Sequence, residues 1–139
     1  MNRAMPGPTR VVDASVVAEA ILGIGPHADW AATQLADAHL AAPHLMPVEV
    51  ANALRRAQAR GMIGAEIADL AHAELMALPV DLYPYEAIAE RAWQMRASVA
   101  SYDACYVALA ELIGADLLTL DTRLTRAPGP TCRFLTPPG

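Results

Sequence analysis

The 139-residue chain contains no lysine, and all ten of its basic residues are arginines. That absence removes the P-loop, whose lysine reaches the bound phosphates. It also argues against two aspartate-using α/β classes, haloacid-dehalogenase-like phosphatases and response-regulator receivers, which normally need a lysine in the site. Aromatic residues are scarce at 5%, whereas hydrophobic residues make up 55%, mostly Ala, Leu and Val. This balance favours a helix-rich α/β domain over a β-sandwich and argues against disorder. Long apolar runs are missing too: residues 16–25 are interrupted by Glu19 and are too short to span a bilayer. The N-terminal stretch carries Arg3, Pro6, Gly7, Pro8 and Arg10 and has no apolar signal core. Residues 1–9 are therefore expected to be a loose leader and 136–139 a loose tail, flanking one domain in a cytoplasmic protein.

Cysteine is nearly absent. Cys105 and Cys132 each lie in an apolar segment and read as small buried hydrophobes in a reducing compartment, with no disulfide. His27, His39, His44 and His72 are scattered and form no zinc-binding cluster with them. The formal charge of −5 speaks against a broad basic surface for nucleic acid. It does not speak against an acidic metal site, because a bound cation inverts the local charge.

Hydrophobic periodicity and breaker residues give an alternating order of elements. Residues 9–13 read as a buried strand ending in a carboxylate, followed by a helix over 16–22 that Ser15 can cap. A helix is expected over 27–38, a weak strand over 40–42 and a helix over 47–60 with Pro47 in its first turn. Next come a helix over 63–78, a strand over 80–83 and helices over 86–100 and 102–113, the last closed by Gly114. A strand over 117–120, a helical turn over 121–126 and an edge strand over 133–135 complete the chain. Strands alternating with helices imply a central parallel sheet covered on both faces.

In an open parallel sheet, ligands bind beyond the carboxyl ends of the strands. Asp13 and Asp121 sit at the carboxyl ends of the first and fourth strands. Asp103 opens a helix after a break at Ser101, where free N–H groups favour an anion. Glu49 falls in the first turn of the third helix, with Asn52 one turn on. Each acid alone has an ordinary explanation as a cap or a solvated side chain, but four on one rim are better explained together. Asp116 is excluded, because it begins the strand whose far end carries Asp121. Asp29, Asp37, Glu66, Asp69 and Glu74 occupy polar helix positions and read as solvated. Hard oxygen ligands suit Mg²⁺ or Mn²⁺, and such ions can acidify a water and steady a leaving alkoxide. No Ser-His-Asp set, reactive cysteine or paired histidines compete for the role.

Val12-Asp13-Ala14-Ser15, Pro47-Val48-Glu49 with Asn52 and Leu54, Tyr102-Asp103-Ala104 and Leu118-Thr119-Leu120-Asp121 together resemble the four motifs of PIN-domain nucleases. In size and spacing the chain is most similar to VapC toxins of bacterial VapBC toxin–antitoxin modules, over residues 11–135. The resemblance implies a three-layer α/β/α fold and a divalent-metal-dependent endoribonuclease with Asp13, Glu49, Asp103 and Asp121 as its acidic quartet. Ser15, Asn52 and Thr119 match supporting positions. It further implies a homodimer silenced by a VapB-like antitoxin whose segment lies in a groove near the site. Val16, Val17, Ile21 and Leu22 could line such a groove or serve as core. Arg55, Arg56 and Arg60, or Arg123 and Arg126, could meet RNA phosphates, and Arg123 is favoured because it lies two residues from Asp121. The alternatives are a PIN-domain nuclease of RNA processing or decay and a catalytically inactive PIN-like binding module.

Overall fold

A computed structural model describes residues 7–139. Five strands form one parallel sheet in the order β3-β2-β1-β4-β5: β1 Thr9–Val12, β2 His39–Pro43, β3 Val80–Tyr83, β4 Asp116–Leu118 and β5 Phe134–Leu135. Helices α1 Ala14–Leu22, α2 Ala28–Ala36, α3 Met46–Ala59, α4 Ala65–Ala77, α5 Ala89–Gln94 and α6 Ser101–Ile113 cover its two faces, giving the three-layer α/β/α arrangement.

The central strands are the apolar ones. Val11 and Val12 of β1, Ala41 and Ala42 of β2, and Leu117 and Leu118 of β4 are almost wholly buried. This fits strands covered on both faces, which read as unbroken apolar runs. Helix α6 lies over β1, β2 and β4, and every residue from Ala104 to Ala110 is buried. Over that stretch the helix is apolar all round because none of its sides meets solvent. Gly114, at φ 66°, and Gly23, at φ 68°, close α6 and α1 in the left-handed conformation that favours glycine.

The strand order reverses direction beside β1. Chain leaving β1 travels through β2 to β3 on one side, whereas β4 and β5 are added on the other. The crevice between the carboxyl ends of β1 and β4 is thus the topological switch point, where open α/β sheets bind ligands.

Several elements differ from the sequence-based expectation. Thr9 begins β1 and the Pro8 carbonyl accepts a hydrogen bond from the His39 amide, so the end of the supposed leader belongs to the sheet; residues 1–6 lie outside the described residues. The single helix expected over 86–100 is instead a 3₁₀ turn at Tyr85–Ala87, the short α5, and turns before α6. Ile88, at φ −125°, separates the first two, and beyond Gln94 the amides of Arg96 and Ser98 bond three residues back. A tertiary tie favours that tightening, since Ser98 Oγ donates to the Pro128 carbonyl at 2.5 Å, and a local one adds to it, with the Arg96 guanidinium 4.6 Å above the Trp93 ring. Strand β4 ends at Leu118 instead of Leu120, because the Leu120 amide turns to the Ser15 hydroxyl. Among the described residues no helix is long and apolar enough to cross a membrane.

Candidate active site

Asp13 follows directly on β1. Its amide donates to the Leu118 carbonyl at 3.0 Å and its own carbonyl accepts from Val16 and Val17, so one residue ends a strand and starts α1. The side chain is consequently held at the seam between β1 and β4, only 8% exposed. Its Oδ2 accepts from Thr119 Oγ1 at 2.7 Å and from Ser15 Oγ at 3.1 Å. Both hydroxyls also accept: Thr119 Oγ1 from the Asp121 amide at 3.0 Å, and Ser15 Oγ from the Leu120 amide at 3.3 Å. Ser15 therefore does not cap α1 as expected. The helix starts one residue before it, and its hydroxyl is turned to Asp13.

Burial pushes the Asp13 carboxyl above its ordinary range, and the two hydroxyl hydrogen bonds only partly offset this. Glu49, half-buried in the first turn of α3, accepts from the Tyr106 hydroxyl through Oε1 at 2.5 Å. Its carboxyl is also raised, first by burial and then by the negative charges of Asp13 and Asp103, against the lowering effect of Tyr106. Asp103 is raised by burial and by Asp13 and Asp121, with Arg123 pulling the other way. These mutual repulsions link the four acids into one negatively charged region. Asp121 Oδ1 accepts from the amides of Arg123 and Leu124 at 2.9 and 3.3 Å and so shapes the turn that follows.

The remaining candidates are placed differently. Arg123 lines a shallow cavity of about 220 Å³ together with Asp103, Asp121, Ser98 and Leu124. Asn52 is exposed, and its Oδ1 accepts from Arg55 Nε at 3.1 Å instead of facing an acid. Asp116 sits at the start of β4, bridging Arg10 at 3.3 Å and Arg133 at 2.6 Å, a structural ion cluster at the opposite end of the strand. Val16 and Val17 are fully buried, so they serve the core and not a surface groove. Cys105 and Cys132 are free thiols. Tyr106 was not picked out from the sequence. Its spacing of three from Asp103 was the available signal, but a tyrosine in an apolar helix reads as core until its hydroxyl is seen to reach Glu49.

The donor set suits a hard divalent cation. Among the described residues none of the four acids forms a salt bridge, and Asp13 is buried against neutral donors only. Grouped carboxylates without a basic partner are costly unless protons or a cation neutralise them. Also among the described residues, no three His, Cys, Asp or Glu side chains already enclose an ion-sized space, so closing on a cation requires rotamer changes at the rim. Asp13, tied to two hydroxyls, is the fixed member; Asp103, with no side-chain bond among the described residues, is the free one.

A PIN domain family model matches residues 10–130. Ribonuclease VapC1 of Mycobacterium tuberculosis is 42% identical over 125 residues, covering 89% of this chain and 94% of the relative. Ribonuclease VapC9 of the same organism is 40% identical, over 83% of this chain and 87% of its own length. Among solved structures, Mycobacterium tuberculosis VapC20, described as a Sarcin-Ricin loop cleaving toxin, superposes with a TM-score of 0.66 at 17% identity, covering 84% of this chain and 93% of that one. DNA-bound VapBC from Salmonella typhimurium gives 0.65 at 14% identity, over 93% and 98% of the two chains. The architecture, the order of the acidic motifs and these likenesses agree: this chain belongs to the PIN-domain family, in its VapC branch.

Proposed function

We propose that this protein is the toxin of a type II toxin–antitoxin module, an endoribonuclease that hydrolyses RNA phosphodiester bonds with Mg²⁺ or Mn²⁺ at Asp13, Glu49, Asp103 and Asp121. The observation that carries this reading is the approach of four acids, none of them in a salt bridge among the described residues, at the switch point of the sheet. When bound, the ion supplies an acidified water and neutralises charge on the phosphoryl oxygens. The chain's own groups have separate tasks. Asp13, pinned by Ser15 and Thr119, would be the fixed ligand of the ion. Glu49 and Asp103, from α3 and α6, would join it in holding the ion. Arg123, at the mouth of the cavity beside Asp103 and Asp121, meets an RNA phosphate.

The relatives named VapC favour the toxin over a nuclease of RNA processing, and the presence of all four acids disfavours an inactive binding module. The structural neighbours solved as VapBC and FitAB assemblies with DNA support a cognate antitoxin as partner. We further place the protein in the cytoplasm as a homodimer of one-domain chains.

Incubation of the purified protein with structured RNA is expected to yield discrete fragments in Mg²⁺ or Mn²⁺ and none in EDTA. The new ends should be 3′-hydroxyl and 5′-phosphate, read by whether ligase joins an adaptor to the 5′ ends without prior phosphorylation. Cleavage that persists undiminished in EDTA would overturn the metal role.

A further inference from the structure

Tyr106 is among the largest fully buried side chains of the protein, at 1% exposure in the middle of α6. Packing alone would be served by phenylalanine. A buried phenol O–H must find an acceptor, and this one finds Glu49 Oε1 at 2.5 Å, an acid of the quartet. Tyr106 also stands three residues after Asp103, on the same helical face. One side chain thus connects the first turn of α3 to the helix that carries Asp103.

The arrangement parallels the other half of the site. There Thr119 donates to Asp13 and accepts from the Asp121 amide, so a buried hydroxyl sets two acids in register. Glu49 needs such a tie more than Asp13 does. It is half-buried, its side chain has one more rotatable bond, and Asp13 and Asp103 repel it. Left alone, its carboxylate would swing towards solvent, away from the other acids.

We propose that Tyr106 is a positioning residue for Glu49: its hydroxyl holds one carboxylate oxygen and leaves the other to join Asp13 and Asp103 around a divalent cation. This inference rests on the metal-site reading above. Partners of metal ligands act in this way, and losing one typically weakens metal affinity about 10–100-fold.

The test is Mn²⁺ titration by calorimetry of metal-free wild type, Tyr106→Phe, Glu49→Gln and the double variant. Phenylalanine keeps the ring, so circular dichroism of Tyr106→Phe should match wild type. Its Kd for Mn²⁺ is expected to rise roughly 10-fold or more, and RNA cleavage should recover towards the wild-type rate at saturating Mn²⁺. In the Glu49→Gln background the tyrosine substitution should add nothing, because the acid it serves is already altered. Wild-type Mn²⁺ affinity in Tyr106→Phe, or a full further loss in the double variant, overturns the positioning role and leaves the metal site standing. Failure of the wild type itself to bind Mn²⁺ overturns the metal site, and the role of Tyr106 with it.

Discussion

Asp13→Asn is expected to reduce RNA cleavage on the order of 10²–10³-fold, the loss seen when one preorganised electrostatic group is removed from an active site. The substitution keeps the shape of the side chain and an oxygen able to accept from Thr119 and Ser15. The seam between β1 and β4 should therefore remain intact, with circular dichroism unchanged. What disappears is the charge. Because burial already disfavours the ionised carboxyl, the variant should be at least as stable as wild type without metal, while cleavage is lost. Loss of function without loss of stability separates a site residue from a structural one. Asp116→Asn is the control. Asp116 is bridged by Arg10 and Arg133 at the far end of β4, so its replacement should leave cleavage within about 2-fold and cost at most about 1 kcal/mol. Full cleavage by Asp13→Asn, or its collapse in Asp116→Asn, would contradict the placement of the site.

The second large effect is on stability. Asp13, Glu49 and Asp103 all bind protons more tightly in the folded chain than at their ordinary values of 3.8, 4.5 and 3.8. For an acid shifted upwards, the folded state holds more protons than the unfolded one in the window between the two values. The contribution of these groups to stability is therefore complete below the ordinary values and is lost as pH rises through the folded ones. In EDTA the midpoint of thermal unfolding should accordingly fall as pH rises above the ordinary carboxylate range, and Asp13→Asn should flatten that fall. A divalent cation supplies at neutral pH what protons supply in acid. At 100 times its Kd it should add about 2.7 kcal/mol, raising the midpoint on the order of 10 °C. The increase should be smaller in acid, where protons compete for the same oxygens. Differential scanning fluorimetry across pH, with EDTA or Mn²⁺, reads both effects; a midpoint in EDTA that rises with pH and ignores Mn²⁺ would refute them.

The parts of this molecule that the sequence made legible are those governed by local pattern. Val11 and Val12 before Asp13, and the apolar run before Asp121, revealed two central strands and the acids near their carboxyl ends. The exclusion of Asp116 followed from strand length alone, and its ion pairs with Arg10 and Arg133 account for it. Elements decided by tertiary contact were harder to read. Residues 86–100 carry helical spacing, with Ile88, Ala92, Met95 and Val99 all buried. Nothing local indicated that Ser98 would be drawn to the Pro128 carbonyl and the helix cut short. Asn52 shares a helix face with Glu49, yet Arg55 on the same exposed side captures it. The role of Tyr106 depends on the fold bringing its hydroxyl to Glu49, 57 residues away in sequence, a relation that no single segment encodes.

The cluster of acids makes sense as a unit only if a divalent ion is shared among them, and anomalous scattering tests this most directly. Crystals grown or soaked with Mn²⁺ should show a peak within about 2.2 Å of an Asp13 oxygen, with oxygens from at least two of Glu49, Asp103 and Asp121 completing the shell directly or through water. A saturated crystal with no peak there, and with each carboxylate satisfied separately by its own hydrogen bonds, would contradict the account.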